Sequence, residues 1–377
     1  MRWAEAEDDH CGLRTKGRDE AVMTRILLHS AISHGTSKQP PGSKEILEQG
    51  TALVEPELRR IVARLHPSVA QVCRYHLGWD AEGSAGPVQR AGKGVRAALA
   101  VLSARSVGAP ERFAAVAGTA VELVHQLSLL HDDVMDGDTE RRGRPAAWAA
   151  FGTGPAVLAG DALVVQAIAG IHRAQAPGAA AATNALIMAV EKMVDGQAED
   201  LALERQPVSE VSPNRFVRMA RGKTGSLFGC AASLGAVLAG APGPVAQALH
   251  TVGGELGVAF QILDDILGLW GESAVTGKPV GADLMRGKKT LPLLLAVGSG
   301  TASGRRLAAL LDSGPMAPVD VPEAMRLLEE AESRQRSEEA AARHMASAVE
   351  ALGEAEIPAD VREQWRNFIT GLSRRSS

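Results

Sequence analysis

The sequence, 377 residues long, predicts an all-α protein built as a single large helical bundle. Three observations lead to this prediction. From about residue 45 the chain is rich in Ala, Leu, Val, Glu and Arg, and strand-type alternation is nearly absent. Prolines are separated by helix-sized or longer intervals, such as Pro110 to Pro145 and Pro213 to Pro242. Within these intervals apolar residues recur at helical spacing, and neither β-α-β alternation nor a G-x-G-x-x-G loop occurs.

The first 44 residues differ from the rest of the chain in composition. They are mixed in charge and lead into HGTSKQPPGSKE, which cannot bury enough apolar surface to order itself. We therefore expect a disordered N-terminal tail, residues 1–44, followed by one all-α domain, residues 45–377. The opening residues do not have the pattern of a signal peptide.

Charge and cysteine content exclude several classes of function. The chain has 40 Lys and Arg against 44 Asp and Glu, so it has no general attraction to nucleic acid or anionic lipid. Three widely spaced cysteines without a C-x-x-C pair favour a reducing compartment, which predicts a cytoplasmic protein. The stretch 225–254 carries no formal charge, but a Pro-Gly-Pro sequence at 242–244 interrupts it. This predicts a buried helix and a turn, without stable membrane insertion.

Connections between the helices are predicted where Gly, Pro and Asp cluster. These segments are 80–94, 205–213, 298–304 and 312–322. Residues 323–372 are predicted to form amphipathic helices that close the domain.

The first candidate site lies late in the interval from Pro110 to Pro145, in VELVHQLSLLHDDVMD. The helical period places Asp132 and Asp136 on one face, one turn apart, with Asp133 rotated by about 100°. The flanking run LSLL must be buried, and buried carboxylates are costly unless a cation compensates them. A solvated acidic face is the alternative interpretation of this motif taken alone.

A second acidic pair, Asp264 and Asp265, follows the apolar helical stretch VAFQIL. Oxygen ligands without Cys or paired His suit Mg²⁺, which shares carboxylates with substrate phosphates. The two acidic sets therefore predict a Mg²⁺ site that handles a phosphorylated substrate.

Residues suited to phosphate accompany both acidic sets, because guanidinium forks and helix starts both favour anions. They are Lys93 and Arg96 near a helix start, Arg141 and Arg142 after the first acidic set, Lys223 and Thr224 in RGKTGS, and Lys278, Asp283 and Lys288 in TGKPVGADLMRGKKTLP. Each lysine or arginine taken singly is equally consistent with a solvated surface.

The order of these motifs across residues 50–372 resembles the all-trans polyprenyl diphosphate synthase family, in particular actinobacterial geranylgeranyl diphosphate synthases. GKGVR is similar to the family's G-G-K-R-x-R-P, and HDDVMDGDTERRGRP to its first aspartate-rich motif. GQAED, KTGSLF, FQILDD and TGKPVGADLMRGKKTLP follow in the family's order. The resemblance implies the isoprenoid synthase fold with a central cavity, a homodimer, and Mg²⁺-dependent condensation of isopentenyl diphosphate with allylic diphosphates.

The resemblance also implies a role for each matching residue. Three Mg²⁺ ions per site would be held by Asp132, Asp136 and Asp264, with Asp133 and Asp265 in support. The allylic diphosphate would be held by Arg141, Lys223 and Lys278, and isopentenyl diphosphate by Lys93, Arg96, His125 and Arg142. Thr224 and Gln261 match positions near the developing carbocation. His125 lies two turns before Asp132 on the same face, although a histidine on an apolar helix is otherwise a core residue.

Departures from the family's pattern occur at four positions. Gly268 occupies the last acidic position of the second motif, and Gly94, Ala97 and Ala146 replace other residues near the first two motifs. Because the first acid of the second motif is the expected ligand, we expect activity to be retained.

Product length is predicted from the residues just before the first acidic set. An aromatic residue at position 127 would block the growing isoprenoid chain. The residue there is Leu127, with Ser128 beside it, and a leucine obstructs the chain less than an aromatic ring does. This favours geranylgeranyl diphosphate, with farnesyl and geranylfarnesyl diphosphate as alternatives.

Two other interpretations remain open at this stage. A class I terpene cyclase also begins with D-D-x-x-D, and Asp265, Gly268 and Glu272 have nearly its second metal spacing. A cyclase, however, has no need of a second diphosphate site. A non-catalytic subunit of a heteromeric synthase usually loses its acidic motifs, and both are substantially present here.

Overall fold

The computed structural model describes residues 42–81, 94–271, 281–314 and 316–373. The helices in the first half are α1 Ser43–Val62, α2 Pro67–Leu77, α3 Val95–Arg105, α4 Glu111–Met135, α5 Ala147–Phe151, α6 Thr153–His172 and α7 Ala179–Glu204. Those in the second half are α8 Pro213–Ala220, α9 Ser226–Leu238, α10 Gly243–Trp270, α11 Ala282–Met285, α12 Leu291–Val297, α13 Ala302–Asp312, α14 Val321–Glu330, α15 Ser333–Glu354 and α16 Ala359–Ser373.

Non-helical elements are few in the described ranges. Strands β1 Glu140–Arg141 and β2 Arg144–Pro145 form an antiparallel hairpin. Single 3₁₀ turns occupy Trp79–Ala81 and Val208–Glu210. The predicted all-α class is confirmed, and the hairpin was not predicted. The proposed tail, apart from residues 42–44, lies outside the described residues, so the division into tail and domain stays a prediction.

The charge-free helix α9 lies at the centre of the bundle. It packs against α3, α4, α7 and α10, and its apolar residues are almost all buried. The chain then turns at 239–242, and α10 begins at Gly243. The predicted buried helix and turn are therefore confirmed.

One turn of π-helix, Arg221–Gly225, which we call the π-turn, joins α8 to α9 so that the chain stays helical throughout. Ser212 caps the start of α8, where its Oγ accepts from the Arg215 N–H at 3.3 Å. Against the π-turn lies Gly196 of α7, where a Cβ atom would stand 2.1 Å from the Lys223 backbone nitrogen. Only glycine permits this approach, which brings the turn's side chains to α7.

The C-terminal helices close the bundle as predicted. α15 packs along α10, and α16 packs on α1. Trp365 of α16 is fully buried, and its indole N–H donates to the Ser106 hydroxyl at 3.0 Å.

Two described helices, α4 and α6, are long and apolar enough to span a membrane by length and composition. In α4, 67% of the apolar window is buried in the protein, as expected of a core helix. The corresponding share in α6 is 33%.

Candidate functional site

The first acidic set lies at the C-terminal end of α4. The Asp136 N–H donates to the Asp132 carbonyl oxygen at 2.8 Å, so the two residues lie one turn apart as the helical period predicts. Burial raises the pKa of Asp132 to about 6, against the opposing charge of Lys223 and with a further contribution from Asp136. The Asp132 carboxylate is thus held where a negative charge is costly, a condition that favours cation binding.

Asp133 points away from this pair and anchors an arginine. Arg141 Nε donates to both Asp133 carboxylate oxygens, at 2.8 and 2.7 Å, and its Nη2 donates to Oδ1 at 2.6 Å. Burial raises the pKa of Asp133 although Arg141 opposes the shift. This buried pair fixes the base of the β-hairpin to α4.

The turn of the hairpin holds Arg142, the second residue of the arginine pair, in a strained backbone conformation. Arg142 and Gly143 have φ values of 55° and 71°, which fits the type I′ turn of two-residue hairpins. A positive φ costs a non-glycine residue about 1–3 kcal/mol and is often found at functional positions. The hairpin is held on α2, because the Tyr75 hydroxyl donates to the Pro145 carbonyl oxygen at 3.0 Å.

Two lysines lie among the acids. Lys223 Nζ donates to Asp200 at 2.6 Å, and Lys288 Nζ donates to Asp136 at 3.3 Å. Burial alone would lower the pKa of Lys223, but Asp200 and Asp132 raise it above its ordinary value. The pKa of Lys288 is raised against burial in the same way, chiefly by Asp136 and Asp200. Both ammonium groups are therefore charged near neutral pH.

The second acidic set lies on α10. Asp264 is exposed, whereas Asp265 is buried. Thr224 Oγ1 donates to Gln261 Oε1 at 2.7 Å, and Gln261 Nε2 donates to Asp265 Oδ1 at 3.1 Å. Burial and the nearby Asp283 hold the pKa of Asp265 well above its ordinary value. Asp265 thus orients Gln261 and Thr224, whereas the exposed Asp264 accepts no hydrogen bond from the side chains of the described ranges.

The π-turn connects the acidic ends of α4 and α10. Lys223 lies within electrostatic reach of Asp132 on α4. The next residue, Thr224, bonds Gln261, which lies almost one turn before Asp264 on α10.

A second connection runs through residues 281–290. Lys288 bonds Asp136 at the end of α4. Asp283, in the same segment, lies against Gly268, which is one turn after Asp264 on α10. Together with the π-turn, this segment links the parts of α4 and α10 that carry the two acidic sets, and we call the region between them the shared space.

A cationic cluster surrounds α4 two turns before Asp132. It consists of His125 on α4, Arg96 on α3 and Arg142 in the hairpin turn. Burial, Arg96 and Arg142 together hold the pKa of His125 well below its ordinary range. The Arg96 guanidinium stacks on the Phe228 ring at 4.7 Å, and its buried Nε has no hydrogen-bond partner among the described residues. Burial lowers the pKa of Arg96 to about 10, although Glu122 opposes this. A charged group held in this way is suited to binding an anion.

Three further polar residues support this cluster. Gln126 Nε2 donates to Glu122, and Gln126 Oε1 lies 3.1 Å from His76 Nε2. Burial raises the pKa of Glu122 and, with Arg141, lowers that of His76 to about 3. A neutral His76 can donate to Gln126, which in turn orients Glu122.

Mg²⁺ fits the donor set at the shared space. The acids that border it, Asp132, Asp136 and Asp264, offer only oxygen ligands. No three His, Cys, Asp or Glu side chains of the described ranges come close enough together to enclose an ion. An ion bound here must complete its shell with water or substrate oxygens, which is the binding mode that Mg²⁺ prefers.

The structure brings most of the predicted site residues together in these two neighbouring regions. The shared space is bordered by Asp132, Asp136, Asp264, Lys223, Thr224 and Gln261, and the cationic cluster contains Arg96, His125 and Arg142. Leu127 is buried, and the half-buried Ser128 donates its hydroxyl to the His125 carbonyl oxygen. Lys93 and Lys278 lie outside the described residues.

Several polar residues of the site were not assigned a role from the sequence. They are His76, Glu122, Gln126 and Asp200. Asp200 ends the GQAED motif and could have been chosen on that ground. Glu122 and Gln126 lie one turn apart on the face that carries His125, which is a weaker signal.

Comparison with known proteins gives a consistent result. The family model described as polyprenyl synthetase matches residues 84–328. The chain is 43% identical over 259 residues to a (2E,6E)-farnesyl diphosphate synthase of Mycobacterium tuberculosis, covering 69% of this chain and 72% of the relative. It is 40% identical over 316 residues to a geranylgeranyl diphosphate synthase of the same species, covering 83% and 89%. A solved polyprenyl synthetase from Streptomyces coelicolor A3(2) superposes with a TM-score of 0.81 at 39% identity, covering 87% and 98%.

Proposed function

Because the chain belongs to the polyprenyl synthetase family and is a prenyltransferase, we propose that it condenses isopentenyl diphosphate with allylic diphosphates in a Mg²⁺-dependent reaction. Its proposed main product is all-trans geranylgeranyl diphosphate. The observation that carries this proposal is the presence of two differently charged regions along α4, each of which could hold a diphosphate, the first through Mg²⁺. One is the acidic and lysine-lined space between α4 and α10, and the other is the cationic cluster around Arg96.

The shared space suits the allylic diphosphate. Asp132, Asp136 and Asp264 would hold Mg²⁺, which supplies positive charge to the leaving diphosphate. Lys223 adds a fixed positive charge at the same place, and it is kept protonated by Asp200. Because the site is partly buried, such charges act more strongly than they would in water.

The cationic cluster suits isopentenyl diphosphate. Arg96 and Arg142 supply guanidinium forks, and the neutral His125 supplies a hydrogen-bonding nitrogen. Both anion sites lie along α4, so two bound substrates would be held side by side. Thr224 and Gln261 offer hydroxyl and amide dipoles beside the allylic carbon without a strong nucleophile. The released diphosphate can accept the final proton, so the proposal needs no protein base.

The decisive experiment supplies the purified protein with Mg²⁺, isopentenyl diphosphate and each allylic starter in turn, and sizes the products by chromatography. We expect elongation from geranyl and farnesyl diphosphate, ending mainly at twenty carbons. A cyclised hydrocarbon formed without isopentenyl diphosphate would instead identify a terpene cyclase. No elongation by the purified chain would favour a subunit of a heteromeric synthase.

Leu127→Phe is expected to shorten the main product to fifteen carbons. Leu127 is buried on α4 and packs towards α6 at Gly160, one to two turns before Asp132. A larger ring at this place would obstruct the path of a growing chain, while Leu127→Ala would open it and lengthen the product. Chromatographic sizing of both variants measures the effect. Product lengths unchanged in both directions would exclude this residue as a length determinant.

We also propose a homodimer formed through α6 and α7. These two neighbouring helices carry most of the exposed large apolar side chains of the described ranges, namely Leu158, Val165, Ile187, Met188 and Val194. Exposed apolar side chains on neighbouring helices are typical of an interaction surface, and a two-fold axis would bury this one against itself.

Val165→Lys combined with Val194→Lys is expected to convert the dimer to a monomer. These side chains are 59% and 58% exposed, so the changes leave the core intact and place like charges across the proposed axis. Light scattering coupled to size exclusion measures the mass. Val319→Lys is the matched control, because Val319 is 81% exposed in a different region and should leave the mass unchanged. A wild-type monomer, or a dimeric double variant, would contradict the proposed interface.

A further inference from the structure

We propose that Asp283 supplies the third carboxylate of the second acidic set, and that Gly268 is the residue that admits it. The inference rests on the proposed function, since it concerns the acids that would hold the allylic diphosphate through Mg²⁺. The acidic set of α4 consists of Asp132, Asp133 and Asp136, whereas that of α10 consists of Asp264 and Asp265, with Gly268 at the third position.

The space of the missing side chain is filled by Asp283. A Cβ atom on Gly268 would lie 2.0 Å from Asp283 Oδ2, 2.9 Å from Cγ and 3.5 Å from Oδ1. The first two distances are shorter than a non-bonded contact allows, so the Asp283 carboxylate occupies the volume that a Cβ atom at position 268 would occupy. Gly268 is one turn after Asp264, so the substitute acid has the same relation to Asp264 as Asp136 has to Asp132.

The fold fixes Asp283 in this position. Asp283 lies on the short helix α11, whose Leu284 is fully buried in one cluster with Leu269 of α10. The Gly281 N–H donates to the Leu269 carbonyl oxygen at 3.3 Å, which ties the start of this segment to α10 beside Gly268. These contacts bring the carboxylate onto α10 from a separate element.

The same segment carries a counter-charge for the first acidic set. Lys288 is joined to Asp283 by a backbone hydrogen bond of 3.1 Å and bonds Asp136 through its side chain. A single segment thus contributes a carboxylate next to α10 and an ammonium group at the end of α4. Asp283 therefore lies against α10 one turn after Asp264, on a segment that also reaches the end of α4.

The inference is tested by moving the acid from one position to the other. The variants are Asp283→Asn, Gly268→Asp and the double variant of Gly268→Asp with Asp283→Ala, with the exposed Asp360→Asn as a control for loss of a carboxylate. The affinity for Mg²⁺ is measured by calorimetry in the presence of inorganic diphosphate, and folding is checked by circular dichroism. Asp283→Asn should weaken Mg²⁺ binding by about tenfold or more, as loss of a supporting group at a metal site does. The double variant should recover most of this loss, and the control should bind as the wild type.

Gly268→Asp alone should lower the melting temperature, because two side chains then compete for one volume. The double variant should restore it, because alanine at position 283 vacates that volume. Gly268→Ala gives an independent measurement, since its methyl group displaces Asp283 without adding charge. It should weaken Mg²⁺ binding in the wild-type background and have no effect in the Asp283→Asn background.

Wild-type Mg²⁺ affinity in Asp283→Asn would overturn the inference. So would a double variant that binds no better than Asp283→Asn, or a Gly268→Ala effect of equal size in both backgrounds. Failure of the wild-type protein to elongate any starter would refute the proposed reaction, while the calorimetry with inorganic diphosphate would still decide the role of Asp283.

Discussion

Asp132→Asn should nearly abolish product formation and at the same time raise the melting temperature of the metal-free protein. Loss of one charge that stabilises a transition state typically costs about 10²–10³-fold in rate, and a residue that would also hold the metal should lie at the upper end. The stabilising effect follows from the pKa of Asp132, which burial raises from 3.8 to about 6. The folded state thus resists ionisation of this group more than the unfolded state does.

The sign of the pH dependence follows directly. A raised carboxyl pKa favours the folded state below pH 3.8, and this contribution is lost as the pH rises from there to about 6. Above that pH the ionised Asp132 destabilises the metal-free protein by about 1–3 kcal/mol, after allowance for partial exposure. Asn removes this penalty. Activity should show the opposite trend and rise with pH, because the ionised form is the one that can bind a cation, and its midpoint should lie below that of the metal-free protein because the cation favours the ionised form.

Thermal melts with and without Mg²⁺, together with the product assay, test this prediction. The exposed Asp360→Asn should change neither the melting temperature nor the rate appreciably. An Asp132→Asn protein that is inactive and less stable than the wild type would show a structural role, and an active one would remove Asp132 from the site.

Arg96→Met should raise the KM for isopentenyl diphosphate and leave binding of the allylic substrate nearly unchanged. The Arg96 guanidinium rests on the Phe228 ring, and its Nε has no partner among the described residues. Hydrogen bonds to a charged group contribute about 1.5–3 kcal/mol, which corresponds to about a 10- to 100-fold increase in KM. The unliganded variant should also be more stable, because Met fills the same apolar space without a buried charge.

Steady-state kinetics with each substrate varied in turn separate the two effects. Arg112→Met is the matched control, since Arg112 also stacks on an aromatic ring, that of Phe113 at 4.8 Å, but is exposed. A similar loss for both diphosphates in Arg96→Met would contradict two separate anion sites.

The sequence was sufficient for the features that depend on local periodicity. The charge-free run interrupted by Pro-Gly-Pro predicted a buried helix and a turn, and it forms α9 and the start of α10. The spacing of Asp132 and Asp136 placed them on one face because α4 is regular there. The order of the motifs indicated the family, and the comparisons confirm it.

Features that depend on distant contacts could not be predicted from the sequence. The π-turn is possible because Gly196 of α7 lets the backbone of Lys223 approach, a contact across 27 positions in the chain. The positive φ of Arg142 belongs to a hairpin held by Tyr75. From the sequence, Gly268 appeared only as the loss of an acid from the second motif. The carboxylate that lies beside it belongs to Asp283 on another helix, and the sequence does not show this contact.

A crystal structure with Mg²⁺ and a bisphosphonate would test the central claim most directly. We expect one phosphorus-bearing group between α4 and α10, joined through Mg²⁺ to Asp132 and Asp136 on one side and to Asp264 on the other. Asp132 and Asp264 facing solvent on separate surfaces, with the bisphosphonate bound elsewhere or through side chains alone, would contradict the account.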